Sequence, residues 1–172
     1  MAFLQIDYKS EALMRGVNIK VILPSDGMAG KWEPPYKTLY LLPGYSATAT
    51  ELITYLGLRG QSELKGIAIV LPDGENLFYQ DLPDRMTFYS TYVGKELVEV
   101  TRKMLPLSTK REDTFIGGIS MGGYGALYNG FKYRDTFSKV VAFYPASDAY
   151  MLLAEEDAPG FSRKQFEGIF GS

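Results

Sequence analysis

The sequence predicts an α/β fold, a mostly parallel central sheet with helices on both faces. Three observations predict it. Short continuous apolar runs, Thr38 to Leu42, Ile67 to Leu71, Thr114 to Ile119 and Val140 to Tyr144, recur along the chain, and strands buried on both faces read as such runs rather than as alternations. Between them lie amphipathic or glycine-bounded stretches of helical length, the order expected of a layered sheet rather than a bundle or sandwich. Three of the four runs stop at turn-forming residues: Pro43-Gly44, Pro72-Asp73-Gly74 and Pro145. The 172 residues are long enough for one domain with a sizeable core, so residues 1–172 are taken as one unit.

The elements follow in order. Phe3 to Tyr8 and Val17 to Leu23 read as strands able to pair antiparallel, and Ser25 to Pro35, rich in Gly and Pro, reads as a loop. Thr38 to Leu42 opens the parallel sheet, and Glu51 to Leu58 follows as a short helix. Ile67 to Leu71 is the next buried strand. A polar, aromatic loop then leads to a helix over Thr87 to Leu105, bounded by Pro106. Thr114 to Ile119 is a strand, Met121 to Tyr133 a helix of small residues, and Val140 to Tyr144 the last strand of the ladder.

Composition excludes several classes of function. A net charge of −2 and a pI near 5.3 give no electrostatic reason for nucleic acid or an anionic membrane as partner. With no cysteine and no histidine, disulfides, thiolate metal sites and the usual zinc sites are all excluded. The start, Met1 to Tyr8, lacks a basic region followed by a long apolar stretch, and no later segment approaches a membrane span. A soluble cytoplasmic protein is expected.

One motif carries chemistry. Phe115-Ile116-Gly117-Gly118-Ile119-Ser120-Met121-Gly122-Gly123 is an apolar run ending in Gly-x-Ser-x-Gly, followed by the helix-compatible Tyr124-Gly125-Ala126-Leu127-Tyr128. That is the context of a nucleophile elbow, in which serine occupies a sharp, strained turn between strand and helix. Gly118 and Gly122 stand where neighbouring backbone must approach closely. A phosphate-cradling loop would need a Lys-Ser/Thr ending, and the dinucleotide glycine pattern is not matched either. The loop Leu41-Leu42-Pro43-Gly44-Tyr45-Ser46 leaves the first parallel strand where such folds supply one oxyanion donor. The backbone N–H groups of Tyr45 and Met121 are therefore assigned to the oxyanion pair.

Taken together, Leu-Leu-x-Gly near residue 42, Leu71-Pro72-Asp73, Lys110 to Ile116 and Gly118 to Ala126 resemble the esterase D group of α/β-hydrolases, which includes tributyrin-type esterases and S-formylglutathione hydrolases. The likeness is greatest to the tributyrin esterase branch. It implies an α/β-hydrolase fold and cofactor-independent hydrolysis of short-chain, small-molecule carboxylic esters through an acyl-enzyme on Ser120. Two departures stand out. Pro43-Gly44 replaces the family's frequent His-Gly, which changes a pocket rim because the following amide does the work. Members also run roughly a hundred residues further, through the triad Asp and His, so the resemblance implies that this chain holds the N-terminal two-thirds of the domain, incomplete at the C-terminal side.

No base for Ser120 is present, because Asp148 and Asp157 come too early in the family order and a carboxylate is poorly matched to that task near neutral pH. They read as a helix cap and a solvated charge. Two functions stay open: a serine carboxylesterase whose Asp and His lie outside these residues, and an inactive remnant or binding module that keeps the scaffold. Without further strands, the edge at Val140 to Tyr144 is a template for homo-oligomer pairing. The aromatics Phe78, Tyr79, Phe88, Tyr89 and Tyr92 serve either an acyl pocket or a core, and Glu96, Glu99, Arg102 and Lys103 read as a solvated helix face.

Overall fold

The computed structural model describes residues 1–26, 32–147 and 162–170; Asp148 and Asp157 lie outside them. In chain order the strands are β1 Ala2–Ser10, β2 Arg15–Leu23, β3 Lys37–Leu42, β4 Ile67–Pro72, β5 Asp81–Leu82, β6 Thr87–Phe88, β7 Thr114–Ile119 and β8 Lys139–Phe143. Six of them form one sheet in the order β1-β2-β4-β3-β7-β8. The first two pair antiparallel over their whole lengths, from Ala2 opposite Leu23 to Ser10 opposite Arg15, and β2 pairs antiparallel with β4. The remaining pairs, β4 with β3, β3 with β7 and β7 with β8, are parallel. Strands β3, β4 and β7 are largely buried, as their uninterrupted apolar sequences require.

Helices cover both faces. On one, α1 Ala49–Tyr55 and α2 Leu58–Lys65 bury Ala49, Leu52 and Leu58 against Ile22, Leu41, Ile69 and Leu71. The larger core lies on the other face. There a helical run of α3 Tyr89–Thr91, a π-helical turn Tyr92–Glu96 and α4 Leu97–Met104 joins α5 Met121–Lys132 and α6 Arg163–Phe170 over Tyr40, Leu42, Val70 and Ile116. Each fully buried large apolar side chain contributes about 1.5–3 kcal/mol relative to exposure. The hydroxyl of Tyr40, buried with its ring, is matched by Thr101 Oγ1 at 2.9 Å.

Three local features differ from expectation. The helix expected over 51–58 starts earlier, where Thr48 and Glu51 form a capping box, and ends at Tyr55. Gly57, at φ 59°, turns the chain into the unexpected α2. The helix expected from Thr87 begins instead with β6, which closes a two-residue pairing with β5. Its π turn places Gly94 where a Cβ would overlap the Tyr133 ring, so the extra residue per turn accommodates a close packing.

The charged face of that helix is also more than a solvated surface. The Glu96 carboxylate accepts the Glu11 and Ala12 amides at 3.2 and 2.7 Å, closing the β1–β2 turn. Arg102 donates to the Ser108 carbonyl at 3.2 Å and to Thr114 Oγ1 at 2.6 Å, tying α4 to the start of β7. Glu99 and Lys103 are exposed, as expected. Among the described residues no helix is long and apolar enough to cross a membrane.

Candidate active site

Leu42 and Gly118 form the last pair of the β3–β7 ladder, so Pro43-Gly44-Tyr45 and Ser120-Met121-Gly122 leave the sheet side by side at its carboxyl end. Open α/β sheets bind ligands at that end. A groove of about 620 Å³ lined by Trp32, Lys37, Ile67, Phe115 and Lys139 lies at the opposite end of the parallel strands, away from this junction.

Ser120 is half-buried, caps the N-terminus of α5 and has φ 55° and ψ −118°. A side-chain-bearing residue in that region costs on the order of 1–3 kcal/mol and persists only where its surroundings over-determine it. The surroundings do so here. Ser120 N–H donates to the Phe143 carbonyl at 2.9 Å, and its carbonyl accepts the Tyr124 and Ala146 amides at 3.0 and 3.1 Å. The Ser120 hydroxyl makes no cap hydrogen bond to its own helix, so it is not consumed in holding the turn.

Both predicted elbow glycines sit where no side chain fits. A Cβ on Gly118 would overlap the Gly122 backbone, and one on Gly122 would overlap the Leu42 and Pro43 carbonyls. Gly44 is nearly as confined: its Cβ would lie 3.2 Å from the Ile119 oxygen and 3.5 Å from Ser120 Cβ. The loop after β3 is therefore in contact with the elbow.

Backbone geometry orients the two predicted amides. The Gly44 carbonyl accepts Ala47 N–H at 3.2 Å, and because a trans peptide points its C=O and N–H in opposite directions, that bond fixes the direction of Tyr45 N–H. The next amide, Ser46 N–H, donates to Asn76 Oδ1 at 2.8 Å. Met121 is buried and is the first residue of α5. Its N–H belongs to the first helical turn, where amides lack intrahelical acceptors and the helix dipole favours negative charge.

Aromatic rings crowd one side of this junction. Phe78 meets Tyr45 at 6.4 Å, Tyr124 at 5.6 Å, Phe166 at 5.3 Å and Phe170 at 5.2 Å between centroids. Tyr124 lies one turn along α5 from Ser120. Of the aromatics left between pocket and core, Tyr79, Tyr89 and Tyr92 are buried in the core, whereas Phe78 joins the core to the ring cluster. Sequence reasoning missed Asn76, Tyr124, Phe166 and Phe170. The aromatic spacing 166/170 at helical period was the available signal for the last two.

Known proteins resemble this chain in sequence and fold. The Esterase family model matches residues 10–163. The acetyl esterase of Caldicellulosiruptor saccharolyticus is 40% identical over 147 residues, 83% of this chain and 55% of that protein. The S-formylglutathione hydrolase of Paracoccus denitrificans (strain Pd 1222) is 28% identical over 188 residues, 95% of this chain and 62% of that protein. The chain thus spans little more than half the length of these curated relatives. Among solved structures, the substrate-bound fluorophosphonate-binding serine hydrolase FphF of Staphylococcus aureus superposes with a TM-score of 0.85 at 29% identity, over 99% of this chain and 66% of that one. The mostly parallel central sheet with helices on both faces is consistent with these likenesses, and the chain belongs to the Esterase family, in the esterase D-like group of the α/β-hydrolases.

Proposed function

We propose that Ser120 is the nucleophile of a serine carboxylesterase acting on short-chain, small-molecule carboxylic esters, and that residues 1–172 are the N-terminal two-thirds of its single domain. The observation that carries this reading is the Ser120 backbone, held at φ 55° between β7 and α5 in contact with the loop after β3. In the reaction, Ser120 Oγ attacks the ester carbonyl as its proton passes to a base, and the carbonyl oxygen takes up negative charge. Tyr45 and Met121 N–H stabilise that charge, at about 2.7–4 kcal/mol per donor. Collapse expels the alcohol and leaves an acyl-serine, which water then hydrolyses.

The chain contains no histidine, so the imidazole base and its orienting carboxylate are assigned to residues outside these 172. Support for a small acyl group comes from the rings of Phe78, Tyr124, Phe166 and Phe170 crowded beside the elbow, and from the relative named as an acetyl esterase. No cofactor enters the scheme. The test is Ser120-dependent hydrolysis of a chromogenic acetyl or butyryl ester by the full-length protein that carries these residues; absence of turnover there moves the reading to an inactive scaffold.

A further inference from the structure

Phe78 and Tyr79 occupy adjacent left-handed conformations, at φ 55° and 56°, in the segment between β4 and β5. For bulky aromatic residues this is a true outlier, sustained only by what surrounds it. The Tyr79 ring is fully buried. Two glycines make room for it: a Cβ on Gly125, in the middle of α5, would lie 2.8 Å from Tyr79 Cγ, and a Cβ on Gly74 would lie 2.9 Å from Tyr79 Cζ. Glycine inside a helix is unfavourable relative to alanine, so α5 gives up helix propensity to admit this side chain.

Tyr79 is held at both ends. Its backbone carbonyl accepts Asn129 Nδ2 at 3.2 Å, and the same amide group donates to the Gly125 carbonyl at 2.9 Å. Asn129 Oδ1 accepts the Ser90 hydroxyl at 2.7 Å, and Ser90 Oγ in turn accepts Lys132 Nζ at 2.8 Å. At the other end, the Tyr79 hydroxyl donates to the Pro43 carbonyl at 2.8 Å across 36 residues of sequence. Burial raises its pKa well above the usual tyrosine value, which keeps it a donor throughout the physiological range.

Pro43 is the first residue past the β3–β7 ladder, and its carbonyl also packs on Gly122. The peptide that begins with this carbonyl leads directly into Gly44 and Tyr45. Asn76, from the same segment as Tyr79, holds the far side of that loop through Ser46 N–H. Loop 43–46 is thus clamped before and after Tyr45 by one neighbouring segment.

We propose that Tyr79 is a positioning residue for the oxyanion loop: its buried hydroxyl fixes the Pro43–Gly44 peptide and, through it, the aim of the Tyr45 amide. The inference rests on the reading of Ser120 as nucleophile for its catalytic consequence. Its structural content stands on the hydrogen-bond chain alone.

Tyr79→Phe removes only the donor. In the 172-residue chain, hydrogen exchange at residues 44–46 should accelerate about 10-fold or more while exchange in β3 and β7 is unchanged. In the full-length protein, kcat for a short chromogenic ester should fall about 10- to 100-fold with KM within twofold, since a misaimed donor is lost mainly in the transition state. Affinity for a trifluoromethyl ketone, which binds as a tetrahedral oxyanion, should fall in parallel. Tyr79→4-aminophenylalanine keeps the ring and a weaker donor and should give intermediate values; it decides the matter alone if Tyr79→Phe does not fold. Unchanged exchange at 44–46 overturns the inference whatever the activity. An active wild type whose variants keep kcat and ketone affinity within twofold overturns it too, and so does a loss confined to thermal stability. An inert wild-type full-length protein instead defeats the nucleophile reading, and the exchange experiment still decides the anchoring role of Tyr79.

Discussion

Ser120 hangs from the edge of the sheet: its N–H donates to the Phe143 carbonyl at 2.9 Å, at the end of β8. The same short stretch returns a second bond, from Ala146 N–H to the Ser120 carbonyl at 3.1 Å. Between these anchors Tyr144, at φ 43°, is 93% exposed. The strained Ser120 turn therefore draws part of its rigidity from a strand that, among the described residues, has only β7 beside it.

That edge should make the isolated 172-residue chain self-associate. Val141 and Phe143 are 43% and 55% exposed, and an open strand with apolar side chains is a template for pairing with a second copy. Sedimentation at tens of micromolar is expected to show dimers or larger species, and Val141→Lys, which places a charge on the edge, should shift them toward monomer. A wild-type chain that sediments as a clean monomer would remove the case for edge pairing.

Glycine substitutions should separate close packing from helix propensity. Gly60 lies in α2 with nothing within 4 Å of the place an alanine methyl would take, so Gly60→Ala should stabilise by about 0.4–1 kcal/mol. Gly122→Ala gains the same helix propensity in α5 but drives its methyl into the Leu42 carbonyl. It should destabilise by about 1–3 kcal/mol net. Thermal midpoints moving in opposite directions are the expected result; two rises would show that the elbow can relax around a methyl group.

Alkaline pH should unfold the protein through its buried tyrosines. Burial pushes Tyr40 and Tyr89 up to about 12 and raises Tyr79 well above its usual value, against about 10 in an unfolded chain. Below pH 10 both states are protonated and stability is unaffected. Between about 10 and 12 the unfolded chain binds fewer protons than the native one, so stability falls as pH rises. Tyrosinate absorbance and near-ultraviolet circular dichroism should show a buried set ionising only as the fold is lost. Ionisation of all 13 tyrosines with the fold intact would contradict this.

Much of this was legible from residue order because the parallel strands are buried on both faces, which forces continuous apolar runs; Thr114 to Ile119 matches β7 at both ends. The elbow was legible for a related reason, since close backbone approach at residues 118 and 122 admits only glycine. The second helix α2 was not, because it buries little beyond Leu58 and Ser62 and leaves a weak apolar period. Glu96 gave no signal for its role either. Its partners, Glu11 and Ala12, lie 85 and 84 residues away, and a long-range bond to backbone amides leaves no mark in local sequence. Nor does any propensity announce two consecutive aromatics at positive φ, as at Phe78 and Tyr79, since that conformation is imposed by Asn129 and Pro43 from elsewhere in the fold.

The decisive prediction concerns turnover. A serine hydroxyl is a weak nucleophile at neutral pH, and its attack on an ester needs a base to accept the proton; these 172 residues include no histidine. Loss of that base costs about a million-fold in turnover, on the order of 8 kcal/mol at about 1.36 kcal/mol per decade. Oxyanion stabilisation and binding alone leave only a small residual rate. The 172-residue chain should therefore hydrolyse a short-chain chromogenic ester barely above background. Full-length protein with an Asp and a His placed after these residues should do so rapidly, and Ser120→Ala should abolish the activity without lowering the thermal midpoint by more than about 1 kcal/mol equivalent, because the Ser120 hydroxyl does not cap α5. Brisk, Ser120-dependent hydrolysis by the short chain would show that another group serves as base, and hydrolysis that survives Ser120→Ala would place the chemistry elsewhere.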